Sequence, residues 1–150
     1  ARHGMGGLER EARGLSEIHA TGVPFQWRAY LHPQPSEIAK TLQEWMLLEV
    51  VSVVHLAGFV QKETFEFGNI DKSDPILFDP TTLLPQHSTS RGGSLECAVL
   101  NGCETEGMGR RLREAGIDHV VCWRGECADQ AAACFARQFH SCLRQSFGAT

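Results

Sequence analysis

The feature that most constrains the fold is the run VVSVVHLA at residues 50–57, an almost unbroken series of apolar and β-branched side chains. A strand covered on one face alternates apolar and polar residues, whereas a continuous apolar run is typical of a strand covered on both faces. Apolar residues before it recur at helical spacing, as Ile38, Leu42, Trp45 and Met46. A helix leading into a buried strand predicts a parallel α/β sheet.

The same two patterns continue along the chain. They predict helices at residues 8–19, 108–115 and 128–145, and strands at residues 25–30, 95–100 and 117–123. Shorter features are a hairpin within residues 58–69, one helical turn ending at Leu84, and a mobile Ser/Thr/Gly-rich loop at residues 86–94. Ser36 is the expected N-cap of the second helix. The predicted architecture is a mostly parallel sheet with helices on both faces.

Length and charge limit the classes of protein that fit. A chain of 150 residues with 42% apolar and 21% charged residues is typical of one globular domain. A net charge of -4 argues against nucleic acid and anionic membranes as partners. There is no apolar stretch of the roughly 18 residues needed to span a bilayer and no secretory signal at the start, so a cytoplasmic location is expected. Because the first residue is Ala1, we expect a piece of a larger multidomain chain.

Six cysteines lie in the C-terminal third, at positions 97, 103, 122, 127, 134 and 142. They form no Cys-x-x-Cys pair, which argues against a zinc site or a disulfide framework and favours buried thiols. The last helix is predicted to face the core with Ala131, Cys134, Phe135, Gln138, Phe139 and Cys142. The histidines at 87, 119 and 140 lack metal-ligand spacing, so neither a metal nor a cofactor is expected.

A candidate nucleophile ends the strand within CAVLNGCETE, residues 97–106. Ligands of a parallel sheet bind beyond the carboxyl ends of its strands, and both Cys103 and His55 belong to that end. A thiol with a free pKa of about 8.5 needs a base or a positive helix end to become a thiolate, and N–H groups near Gly102 could bind an oxyanion. The alternative interpretation is a small buried thiol and a core histidine.

Three segments in order resemble one known family. Residues 54–58, VHLAG, resemble the strand that enters its histidine motif, and residues 99–105, VLNGCET, resemble its cysteine motif, often LNAC or LSAC. Residues 117–132 resemble its late strand, polar loop and Asp-x-Ala-Ala helix start. The chain thus resembles a CHAT domain, the caspase-like module of the clan of caspases, metacaspases and separase. The resemblance implies a caspase-like three-layer sandwich over residues 8–147, after a frayed terminus at residues 1–7.

Two departures from the family pattern matter. The family's histidine motif reads His-x-x-x-His-Gly and its second histidine is catalytic, but here His55 is followed four residues later by Phe59 and then Val60. Phenylalanine accepts no proton, so Cys103 lacks its usual base. No apolar strand precedes Leu8, so the family's first strand is expected to be missing.

Two functions follow as hypotheses. The first is a CHAT-like module with impaired catalysis that acts in protein interaction or signalling. The second is an active cysteine endopeptidase with Cys103 as nucleophile and His55, or a group outside the motif, as base. In both, the partner or substrate is a polypeptide and the crevice is lined by Gly58, Phe59 and Trp123, the last of which is otherwise a core residue. An unrelated nucleotide-binding domain lacks support because no Gly-rich phosphate loop follows a strand.

Overall fold

A computed structural model of the chain describes residues 5–19, 37–67 and 76–148. The chain divides into two compact units, one formed by Pro33–Glu126 and the other by Ala1–His32 with Cys127–Thr150. The elements in chain order are α1 Met5–His19, α2 Ile38–Leu48, β1 Val53–Ala57, β2 Phe59–Gln61, β3 Thr64–Phe67, β4 Ile76–Phe78, β5 Cys97–Asn101, α3 Glu106–Glu114, β6 His119–Val121 and α4 Asp129–Gly148. The protein is a mixed α/β fold with four helices in its described residues, which confirms the predicted class.

The parallel sheet has the strand order β1-β5-β6. β5 lies in the centre, and its last four residues are all buried. In β1 only Val54 and Leu56 are buried, while the alternate residues are half-exposed. β5, rather than β1, is therefore the strand that is covered on both faces. β5 has a neighbouring strand on either side, whereas β1 lies at the edge of the three strands in the order β1-β5-β6.

A second, antiparallel sheet has the order β2-β3-β4. β2 and β3 form the predicted hairpin, joined by Lys62 and Glu63, which both have positive φ, at 49° and 61°. Two consecutive left-handed residues give the type I′ turn that suits the twist of a hairpin. β4, for which no strand was predicted, is paired with β3 through three residues. Phe65 and Phe78 are paired across these strands and buried, so they form the inner face of this sheet.

α3 connects β5 to β6 and packs on one face of the parallel sheet. A Cβ added to Gly109 would lie 2.8 Å from Cys122 Sγ and 3.3 Å from Val120 Cγ1. Val120 is paired with Ala98, so α3 covers the face that carries these two side chains. The close approach explains a glycine within the helix.

The predicted mobile loop at residues 86–94 is instead folded. Short 3-10 helices occupy Pro80–Thr82, Leu84–His87 and Thr89–Arg91. Ser88 is fully buried, and its N–H donates to Pro85 O while its carbonyl accepts from Arg91 N. Ser/Thr/Gly composition resembles that of a loop, but here the polar groups are used in local hydrogen bonds.

The other unit pairs α1 with α4. Leu15 of α1 and Ala136 of α4 are buried, as are His19 and His140, whose Nε2 and Nδ1 atoms lie 2.9 Å apart. α1 begins at Met5, within the segment 1–7 that was predicted to be frayed, and residues 1–4 lie outside the described residues.

The core-facing stripe predicted for α4 is displaced around the helix. Ala136 and His140 are buried, whereas four members of the predicted stripe are exposed: Ala131, Cys134, Gln138 and Cys142. The prediction assumed that apolar residues mark the core, but the hydrogen bond between His140 and His19 makes burial of a histidine acceptable. All six cysteines are thiols, as predicted, but only Cys127 is buried.

The predicted strand at residues 25–30 and the N-cap Ser36 lie outside the described residues. None of the helices in the part of the chain that the structure describes combines the length and apolar character needed to cross a membrane.

Candidate functional site

The carboxyl ends of β1 and β5 bring two glycines into contact. Ala57 is paired with Asn101, and a glycine follows each strand, Gly58 and Gly102. A Cβ added to Gly102 would lie only 2.7 Å from the carbonyl oxygen of Gly58. The sequence placed both glycines at the crevice, and the structure brings the turn before Cys103 against the turn after the histidine strand.

The buried side chain of Thr105 holds the turn at residues 102–104, the cysteine turn, by hydrogen bonds. Cys103 is half-buried and precedes Glu104, which has φ of 52°. The hydroxyl of Thr105 lies 3.1 Å from Leu100 O and 3.2 Å from Gly102 O, to which it donates, and it accepts a hydrogen bond from Trp123 N at 2.9 Å. One side chain thus joins the end of β5, the cysteine turn and the loop after β6.

Trp123 forms the neighbouring wall of this turn. Its indole Nε1 donates to Oδ1 of the buried Asn101 at 2.8 Å, and its carbonyl accepts from Glu106 N at 3.1 Å. Glu104 N donates to Gly125 O at 2.9 Å. The Trp123 side chain is therefore held by a specific hydrogen bond, and the Glu104 N–H group is already engaged and does not serve as an oxyanion donor in this conformation.

His55 lies upstream of the cysteine turn. It is paired with Val99, and Asn101 is the last residue of β5, two positions further on. With a rise of about 3.3 Å per residue, the histidine lies about 7 Å along the strand direction before the turn begins. Side chains alternate between faces, so His55 shares its face with Val99 and Asn101, opposite the face covered by α3.

Phe59 points away from the cysteine turn. In the antiparallel sheet Phe59, Glu66 and Leu77 are paired in one row, and Phe59 and Leu77 are 42% and 54% exposed. The alternate residue, Val60, faces the turn, because its Cγ2 would lie 2.9 Å from a Cβ at Gly102. Phe59 thus occupies the outer face of the β2-β3-β4 sheet.

Two other cysteines are shielded thiols. Burial raises the pKa of the Cys97 thiol, and the nearby Glu96 carboxylate raises it further. The pKa of Cys122 is raised first by burial and then by Glu106, with Arg110 opposing. A raised pKa lowers the thiolate fraction at neutral pH, so neither thiol suits nucleophilic chemistry.

Sequence reasoning missed Asn101 and Thr105 as the residues that hold the site. Each was visible within residues 97–106, but a polar residue after a strand carries no signal of its partner. Among the described residues, no group of three or more His, Cys, Asp and Glu side chains is placed to hold a metal ion.

Comparison with protein-family models, with curated proteins and with solved structures finds no match for this chain.

Proposed function

We propose that this chain is a CHAT-like module of caspase-like three-layer architecture whose peptidase catalysis is impaired and which acts in protein interaction or signalling. The observation that carries the proposal is the placement of Phe59. By the resemblance it takes the place of the catalytic histidine, it accepts no proton, and it is 42% exposed on the outer face of the β2-β3-β4 sheet, so position 59 supplies no base to Cys103.

The cysteine half of the site supports the resemblance. Cys103 follows the central strand of a parallel sheet at its carboxyl edge, and Thr105 and Trp123 hold its turn by hydrogen bonds. The base half departs from the family's pattern, because position 59 is phenylalanine and the first histidine, His55, lies within β1.

Loss of a general base has a large effect on rate. Positioned acid–base catalysis contributes typically about 10²- to 10⁴-fold, and removal of one member of a catalytic pair can cost more. A chain that keeps the cysteine turn and lacks the base is suited to binding polypeptides without cutting them. Six thiols are typical of a protein in the reducing cytoplasm, and a cytoplasmic location is part of the proposal.

An active cysteine endopeptidase is the second candidate, because the histidine strand β1 and the cysteine strand β5 are parallel neighbours. In that case His55, or a group outside the motif, removes the proton of Cys103, and a tetrahedral oxyanion forms beside Gly102. This candidate requires that the His55 imidazole span the two positions that separate its partner Val99 from Asn101, the last residue of β5.

A peptidyl chloromethyl ketone and a peptide library separate the two candidates. We expect no library cleavage above background, and labelling of Cys103 no faster than labelling of the exposed Cys134 on α4. Stoichiometric labelling that is lost in Cys103→Ala and kept in Cys134→Ala, together with library cleavage, would establish the peptidase and overturn the proposal.

A further inference from the structure

The hairpin β2–β3 contacts the chain on both sides of Cys103, at Gly102 in the cysteine turn and at Gly107 in the first turn of α3. At one end, Gly102 leaves space for Val60 Cγ2 and for Phe65 Cε1, which would lie 2.9 Å and 3.5 Å from a Cβ at that position. At the other end, a Cβ at Gly107 would overlap Glu63 Oε1. Cys103 lies between these two glycines in the chain, so the hairpin runs alongside the thiol-bearing segment.

The hairpin tip is attached to α3 by one carboxylate. Glu63 Oε2 accepts a hydrogen bond from Arg111 Nη1 at 2.9 Å, and its Oε1 lies over Gly107 in the first turn of the helix. The positive end of a helix attracts an anion, and Arg111 adds a full positive charge. The neighbouring Arg110 pairs instead with Glu106 of the same helix, so the contact between hairpin and helix is specific to Glu63 and Arg111.

The ion pair between Glu63 and Arg111 is weak enough to break and re-form. The side chains of Arg111 and Glu63 are 43% and 53% exposed, and an ion pair of that kind is weakened by salt. Lys62 and Glu63 both hold left-handed backbone angles, which residues other than glycine rarely adopt. Asn and Gly adopt these angles more readily than Lys and Glu do. The Lys62–Glu63 turn therefore depends more on its contact with α3 than an Asn-Gly turn would.

We propose that the β2–β3 hairpin is a strap that restricts access to Cys103 and is held closed by the Glu63 carboxylate on Arg111 and the first turn of α3. The inference rests on the proposed function in taking Cys103 as the functional thiol, but the strap does not require that the chain cleave peptides.

The test is the rate of alkylation of each cysteine by iodoacetamide, followed by mass spectrometry of the whole chain. Glu63→Gln removes the charge, and Gly107→Ala displaces the carboxylate while it keeps the charge and favours the helix. We expect each variant to raise the Cys103 rate about two- to five-fold at low salt, the range that a half-exposed ion pair confers on a local opening equilibrium. At 1 M salt the Cys103 alkylation rates of the wild type, Glu63→Gln and Gly107→Ala should become equal.

Two controls keep the test specific. Glu66→Gln removes a carboxylate from the outer face of the same hairpin and should leave the Cys103 rate unchanged. Cys97, a shielded thiol at the start of β5, reports general loosening of the sheet. Unchanged Cys103 rates in both test variants, a rise confined to Glu63→Gln, an equal rise with Glu66→Gln, or a matching rise at Cys97 would each overturn the strap. Peptide-library cleavage is measured separately, so failure of the proposed function is distinguishable from failure of the strap.

Discussion

Gly102→Ala should destabilise the protein through a single steric contact. The new Cβ would lie 2.7 Å from Gly58 O and 2.9 Å from Val60 Cγ2, and the first of these is a backbone atom that cannot rotate away. Overpacking of a tight site costs about 1–3 kcal/mol. Alanine also restricts the unfolded chain, which stabilises by about 0.4–1 kcal/mol where the backbone is compatible, so we expect a net loss of about 0.5–2 kcal/mol.

Urea unfolding followed by tryptophan fluorescence measures this loss. With a slope of about 1–3 kcal/mol per molar urea, the midpoint should fall by about 0.2 to 2 M. Gly125→Ala is the matched control, since a Cβ there meets nothing within 4 Å and should change the stability by less than about 0.5 kcal/mol. Equal midpoints for Gly102→Ala and the wild type, or equal losses in both variants, would refute the contact between the two turns.

Three further predictions concern the same site and the α1–α4 unit. Thr105→Val should cost about 1–3 kcal/mol in urea unfolding, because buried hydrogen-bonding groups lose their partner, and Thr105→Ser should recover most of it. Phe59→His should give no peptide cleavage, since position 59 lies on the outer face of its sheet; cleavage that depends on Cys103 would contradict this. Burial, with a smaller effect of a nearby arginine, lowers the pKa of His19 below 6.5, so the stability it contributes is present above pH 6.5 and lost as the pH falls through the lowered pKa. Between pH 7.5 and 5, the melting temperature should fall less for His19→Gln than for His119→Gln, a change at an exposed histidine. Equal falls in the two variants would exclude His19 as the cause of the acid destabilisation.

The repeating pattern of elements could be predicted because it depends on local periodicity. The apolar run before Ala57 became β1, the run before Asn101 became β5, and the helices were placed within a few residues of their observed ends. Errors occurred where a polar residue is buried with a partner distant in sequence, as His140 is with His19, 121 residues away. Composition also misassigned Ser88, whose burial depends on hydrogen bonds of its own loop.

The sequence by itself determined which residue types are available at the carboxyl edge of the sheet: a thiol at Cys103 after a strand, glycines at 58 and 102, and phenylalanine at position 59. Only the tertiary structure decided that Phe59 faces outward, that Thr105 ties the cysteine turn to the loop after β6, and that Glu63 lies on α3. Side-chain direction in a strand has a period of two, so a face is settled only when the pairing partner and register are fixed. Contacts across many residues depend on how the strands pair and the helices pack, and the linear spacing of residues does not contain that information.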